Sequence, residues 1–290
     1  MVSVIIAVYN GEKFVNRAIA SALDQDIQDL EVIIVDDCSK DNTRDIIYKE
    51  YGSLIGKRIF YYRNSENFER SRSRNIGFDL SKGDYVFVLD YDDEWEKDYI
   101  KESLKYFEKG YDIVYSAPRS FIDKDSKILR ISRKTIPQEA EKLIFTGYIG
   151  YPSASAFKRS SFLRYREDVI LREDWEIYLR SYFSGLKIKI LDNNRVKIRE
   201  HGDRSSRNIS MLSATMKIYE EYIDKVPKEY KKDFLFHMAE INLRFGNLPL
   251  GWKFFFKSLS LSTLSNPRNL LSLIKRGFRI DRYFHYLRAT

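Results

Sequence analysis

"VFVLDYDDEWEKDY", Val86–Tyr99, is the stretch that decides how this chain is to be read. It opens on four apolar residues in a β-rich run. It then ends in Asp90, Asp92, Asp93 and Glu94, carboxylates that repel one another unless something positive sits among them. A near-continuous apolar strand belongs to a parallel sheet covered on both faces, and in such sheets ligands bind beyond the carboxyl ends of the strands. A second run, "VIIVDD", ends the same way in Asp36 and Asp37. Acids spaced D-x-D at a strand end point the same way and offer hard oxygen ligands, suited to Mg²⁺ or Mn²⁺. The usual companion of such an ion is a diphosphate, whose departure the metal eases as a Lewis acid.

Outward from that strand, β-rich runs alternate with helical patterns. Val2 to Val8 precedes a helix from about Glu12 to Leu23, then "LEVIIVDD", another helix, "RIFYYRN", and a helix over 76–82. Later strands are expected within "YDIVYSA", "SASAF", "LKIKIL" and "VKIRE", with the helix "DWEIYLRSYF" before the last pair. This βαβ punctuation predicts an α/β fold, a Rossmann-like mixed sheet flanked by helices over 1–208. Its nucleotide-binding half is expected over about 1–111 and its acceptor half over about 112–208. After the Ser-rich "DRSSRNIS" the pattern over 209–290 is helical only, with Tyr230, Phe234, Met238, Ile241 and Phe245 at helical spacing. Gly246 and Asn247 end that helix, Pro267 marks the start of another, and the segment between resembles half of a tetratricopeptide-like hairpin.

Composition narrows the class. One cysteine, Cys38, excludes an internal disulfide framework and fits a reducing compartment, so a cytoplasmic location is expected. "MVSVIIAVYN" has no basic leader and reads as a strand, so no signal peptide is expected, and no apolar run is long enough to span a bilayer. The net charge of +8 is not spread evenly: residues 241–290 hold nine Lys and Arg against one acid, while 1–240 hold 41 of each sign. There is no phosphate-binding Gly-x-x-x-x-Gly-Lys loop and no zinc-ligand spacing.

Four segments, "SVIIAVYNGEKFVNRAIASALDQ", "EVIIVDDCSKDNT", "RNIGFDLSKGDYVFVLDYDD" and "REDWEIYLR", together resemble the family 2 inverting glycosyltransferases of GT-A fold, over roughly residues 2–205. The resemblance implies an enzyme that moves a sugar from a nucleoside diphosphate sugar, UDP-sugar favoured, to a hydroxyl of a glycan or lipid-linked glycan. Ala7, Tyr9 and Asn10 match the turn that flanks the base. Asp37 matches the acid that accepts the base N–H, a role suited to an acceptor-only carboxylate. Arg74 matches an arginine near the nucleotide; the alternative is a salt bridge to Asp90 or Asp92. Asp90 would face the ribose, Asp92 the metal, with Asp93 a second candidate ligand and His201 a third. "NFERSRSRN" departs from the family, because Glu69 and Arg70 stand where small residues are common.

Inverting transfer is a single displacement, so one carboxylate must take the acceptor's proton on the face opposite the leaving diphosphate. Asp174 matches the family's base, with its neighbour Glu173 as the alternative. The acceptor side is expected within 120–170. Two other readings remain on the sequence alone: a sugar-nucleotide nucleotidyltransferase, and a protein whose basic tail binds nucleic acid or another anionic polymer. The first lacks a Gly-rich loop with lysine, and the second lacks any nucleic-acid signature, so no nucleic-acid partner is expected. The tail is instead expected to bring the protein to an anionic membrane surface, peripherally, at the inner face of the cell membrane. On one helix Trp252, Phe255, Phe256 and Leu259 form a stripe beside Lys253, Lys257 and Ser260, and Lys275, Arg276, Arg279, Arg282 and Arg288 follow. The same aromatic spacing also fits the core of a helical hairpin.

Overall fold

The computed structural model of the chain describes residues 1–201 and 208–259. The described residues divide into two compact units, one of 1–140 with 149–201 and the other of 141–148 with 208–259.

In the first unit the strands are β1 (Val2–Val8), β2 (Leu30–Asp36), β3 (Ile59–Arg63), β4 (Tyr85–Val88), β5 (Glu94–Trp95), β6 (Ile113–Ala117), β7 (Ser120–Ile122), β8 (Ile128–Ile131), β9 (Ser155–Lys158), β10 (Ile188–Asp192) and β11 (Val196–Arg199). The helices in chain order are α1 (Val15–Leu23), α2 (Thr43–Tyr51), α3 (Glu69–Leu80), α4 (Tyr99–Glu108), α5 (Ala140–Phe145), α6 (Glu173–Phe183), α7 (Ser210–Tyr222), α8 (Lys231–Phe245) and α9 (Leu248–Ser258). Seven strands form one mixed sheet in the order β10-β6-β9-β4-β1-β2-β3, parallel except where β9 runs antiparallel to β4 and β6. A second sheet has the order β5-β11-β7-β8.

The apolar runs dictate this layout. Every residue of β2 is buried, as a strand covered on both faces requires. The chain builds β1, β2 and β3 outward in one direction, then returns through α3 to lay β4 on the other side of β1. That reversal opens a crevice at the carboxyl ends of β1 and β4, the place where open α/β sheets take ligands. The helix expected over 76–82 begins at Glu69 instead. Its buried face carries Ser71, Ser73, Arg74, Asn75 and Gly77, so apolar periodicity could not mark its first two turns. Gly77 is required by contact: a Cβ there would stand 2.4 Å from Cγ2 of Ile5 on β1.

The second unit is helical. α8 ends on Gly246 at φ 88°, a left-handed conformation that glycine adopts without strain, and the chain folds back into α9. The buried face of α9 is Gly251, Phe254, Phe255 and Ser258. The expected stripe is thus rotated by one residue. Phe254, left out of it, packs edge-on against Tyr219 at 4.9 Å between centroids, whereas Phe256 is 65% exposed. Among the described residues no helix is long and apolar enough to cross a membrane. The helix expected after Pro267 and the basic residues Lys275, Arg276, Arg279, Arg282 and Arg288 lie outside the described residues, as does Ser260.

Candidate active site

The opening stretch delivers its acids where the sheet predicts. One ligand atom each from Asp90, Asp92 and Asp93 lies within 4.8 Å of the others. The loop is pinned from two sides. Ser153 accepts the Asp90 N–H at 3.0 Å and donates its hydroxyl to Asp93 Oδ2 at 2.6 Å, while the Arg199 N–H donates to Asp93 Oδ1 at 2.8 Å. Asp93 is buried, and that burial, reinforced by the charges of Asp92 and Asp90, pushes its carboxyl well above the ordinary carboxylate range. His201 Nε2 stands 2.8 Å from Asp92 Oδ2.

The guanidinium of Arg199 has no exposed surface and is spent on the loop's frame. It donates Nε–H to the Asp92 carbonyl at 2.8 Å, pairs with Glu94, and lies over the Phe14 ring at 4.9 Å. The open faces of the acid cluster therefore keep an excess of negative charge. Three close carboxylates and an imidazole form an oxygen-rich set that fits a divalent cation such as Mg²⁺ or Mn²⁺.

Across the crevice lies the start of α6. Arg74 is buried and two-armed: one terminal nitrogen donates to Asp90 Oδ1 at 2.7 Å, the other to Glu173 Oε1 at 2.8 Å. The ion pair weighed for Arg74 from sequence is therefore present, doubled, and joins the two candidate carboxylate groups. Asn75, next in the "RN" pair, ties down the segment before α6: it donates to the Tyr165 carbonyl at 2.8 Å and accepts the Tyr165 N–H at 2.9 Å. Arg172, at φ 70°, turns the chain into the helix. Glu173 is consumed by Arg74, with 4% of its side chain exposed.

Asp174 points elsewhere. The backbone of Gly150 faces it so closely that a Cβ there would lie 3.2 Å from its carboxyl carbon. It accepts the Trp175 N–H at 2.7 Å, and desolvation, then the adjacent Glu173 charge, push its carboxyl up to about 7.

The third face lies at the ends of β1 and β2. Asp36 is structural: its oxygens accept the Ser39 N–H at 2.7 Å, the Tyr61 hydroxyl at 2.6 Å and Arg63 at 2.9 Å. Asp37 turns the other way. Its Oδ1 accepts Asn64 at 2.7 Å and the Phe68 N–H at 2.8 Å, and among the described residues nothing donates to its Oδ2. Ala7 is half-buried in β1 opposite Val35. Tyr9 is 37% exposed, and Asn10 sits at φ 52° with its Oδ1 accepting the Lys40 N–H at 2.8 Å. In the departing loop Glu69 has φ 68°, so it occupies with a side chain a conformation that favours glycine. Sequence reading missed Ser153, Arg199 and Asn64. Each acts on an acid far away in the chain, and no local pattern marks a serine or arginine for that duty.

A model of the glycosyl transferase family 2 matches residues 3–166, more than half of the chain. The uncharacterized glycosyltransferase MJ1057 of Methanocaldococcus jannaschii is 29% identical over 270 residues, covering 89% of this chain and 86% of that one. The UDP-Glc:alpha-D-GlcNAc-diphosphoundecaprenol beta-1,3-glucosyltransferase WfaP of Escherichia coli is 28% identical over 209 residues, 72% of this chain and 80% of that one. Among solved structures, residues 1–349 of S. aureus TarS in complex with UDP-GlcNAc align with a TM-score of 0.65 at 18% identity, covering 95% of this chain and 81% of that one. The chain spans 49% of the longer TarS chain. The shared mixed sheet flanked by helices is the GT-A type of fold. With its acids at the ends of β2 and β4 and the family's pattern running from the first strand to residue 166, this chain belongs to glycosyl transferase family 2.

Proposed function

We propose that the protein is an inverting glycosyltransferase that moves a sugar from a UDP-sugar to a hydroxyl of a glycan or lipid-linked glycan. The observation that carries this reading is the Arg74 bridge, which joins the acid cluster at the end of β4 to Glu173, the chain neighbour of a carboxylate of raised basicity, Asp174. Asp174 takes the acceptor's hydroxyl proton as that oxygen bonds to the anomeric carbon. The bond from that carbon to the diphosphate breaks, and the diphosphate leaves with the electron pair. A carboxylate that titrates near neutrality is matched to this work, because it is ionised at working pH yet still holds the proton it gains. Glu173, held by Arg74, serves as its support.

Asp92 and His201, with Asp93 behind them, would hold Mn²⁺ or Mg²⁺, which when bound neutralises charge on the departing diphosphate. Asp90, held by Arg74, is left to meet the ribose. The open Oδ2 of Asp37 suits the single imide N–H of uracil, and Ala7, Tyr9 and Asn10 flank that position. UDP as the nucleotude is supported further by what WfaP and TarS are named for binding. The lipid-linked acceptor rests on WfaP alone.

The test is slow transfer to water. Purified protein is incubated with Mn²⁺ and a panel of UDP-, GDP- and dTDP-sugars, and nucleoside diphosphate release is measured. Release is expected from one or a few UDP-sugars, with inversion at the anomeric carbon. Release from GDP-sugars alone overturns the uracil assignment, and a sugar product of retained configuration overturns the single displacement.

A further inference from the structure

Strand β8, "ILRI", is built unlike the rest of the first unit. It is the outer strand of the second sheet, paired antiparallel only with β7, and all four of its residues are exposed. Ile128, Leu129 and Ile131 are 51%, 53% and 54% exposed. The register sets Ile128 opposite Ile122 and Ile131 opposite Ser120 on one face, with Arg130 opposite Phe121 on the other and Leu129 the extra residue of a bulge, so three aliphatic side chains stand in water along one short edge strand. Soluble proteins blunt such edges with charge, and here a single arginine, Arg130, stands within the strand, drawn onto Phe121 and Glu200, while further basic residues flank it. Lys124, Lys127 and Arg133 are exposed, and Arg130 lies over the Phe121 ring at 3.6 Å while pairing with Glu200 at 2.7 Å.

The strand is nevertheless held firmly beside the site. Its turn, 123–127, receives Arg199 on the Asp123 carbonyl and on Ser126 Oγ at 3.1 Å, and Arg17 on Ser126 Oγ at 3.2 Å. Arg199 is the same residue that frames Asp92.

We propose that β8 and its basic flanks are a membrane-contacting edge, which rests in the interface of an anionic bilayer and holds the mouth of the site against the lipid surface. Two arguments select this occupant. Basic residues at both ends complement anionic headgroups, and aliphatic centres flanked by Lys and Arg are the composition that interfacial segments use. A second copy is disfavoured, because antiparallel pairing of β8 with itself would set Lys127, Arg130 and Arg133 of one copy near those of the other. The proposal does not rest on the basic chain end or on which donor is used.

The test reads the edge directly. In the full-length protein carrying Trp252→Phe, Leu129→Trp serves as a probe; the two remaining tryptophans, Trp95 and Trp175, are buried. With phosphatidylcholine vesicles containing phosphatidylglycerol and acyl-brominated lipid, position 129 is expected to shift to the blue and be quenched. Vesicles of phosphatidylcholine alone should give neither. A triple variant, Ile128→Ser, Leu129→Ser and Ile131→Ser, should lose about tenfold or more in vesicle partitioning, since it removes apolar area from the interface. Its donor hydrolysis in solution should be unchanged. Quenching absent at 129 while the protein sediments with vesicles overturns the proposal, as does a triple variant that partitions like the parent. A parent that is dimeric in solution, with the triple variant monomeric, assigns the edge to a second copy and overturns it equally.

Discussion

Two groups of neighbouring carboxylates are joined through Arg74, and the protein treats them in opposite ways. At 90–93 three acids are gathered within 4.8 Å; Arg74 pairs with Asp90 alone, and the buried guanidinium of Arg199 is turned away to Glu94 and to backbone carbonyls. At 173–174 the adjacent acids are separated in role: Arg74 pairs with Glu173, while burial and then the Glu173 charge lift Asp174 to about 7. The first arrangement stores negative charge that a cation relieves. On the proposed function the second tunes one group for proton transfer. The acids that Arg74 leaves unpaired are then the proposed metal ligand, Asp92, and the proposed base, Asp174, although the residue types are the same.

The comparison breaks most visibly at Asp174. Asp174→Asn is expected to keep donor affinity and lose transfer by about 10² to 10⁴ fold, measured as turnover with nucleotide binding as the control. Near-parental turnover would remove the second half of the comparison. At Arg199 the effect falls on stability. Arg199→Met leaves Glu94 without its partner and frees the Asp92 carbonyl, so a loss of about 3 to 5 kcal/mol is expected in urea denaturation. Asp92→Asn should leave the fold intact and weaken metal-dependent UDP binding by about tenfold or more, since a charged ligand beside a dication becomes neutral.

The pH dependence sharpens the second arrangement. Because the base must be ionised, turnover should fall about tenfold per pH unit below about pH 7 and level off above it. Glu173→Gln removes the charge that raises Asp174, so the acid limb should move to lower pH. A limb that stays in place would mean that burial alone sets it. The same shift also acts on stability. The folded carboxyl titrates at about 7 against an ordinary 3.8, so between those values the native state binds more protons and loses stability as pH rises. Asp174→Asn should therefore melt higher than the parent above about pH 7, with the difference gone below about pH 3.8.

Much of this was legible in the chain because the decisive residues announce themselves locally. Asp37 and Asp90 end apolar strands, and "REDWEIYLR" places Asp174 at a helix start. What was not legible depends on contacts between distant segments. Ser153 reaches Asp93 across 60 positions and Arg199 reaches it across 106, and neither lies in a motif that names its partner. The start of α3 was missed because its buried face is polar, matched to Asn64, Asp90 and Glu173 and not to an apolar core. On α9 the composition was right and the rotation wrong, since Gly251 fits against Leu243 and that contact fixes which phenylalanines turn inward.

The most direct test of the division between the two groups is calorimetric titration of UDP, with and without Mn²⁺, into the parent and into Asp92→Asn and Asp174→Asn. The expected result is binding that requires Mn²⁺ in the parent, is weakened at Asp92 and is unchanged at Asp174. Equal affinity without the metal, or binding lost at Asp174 and kept at Asp92, would contradict the account.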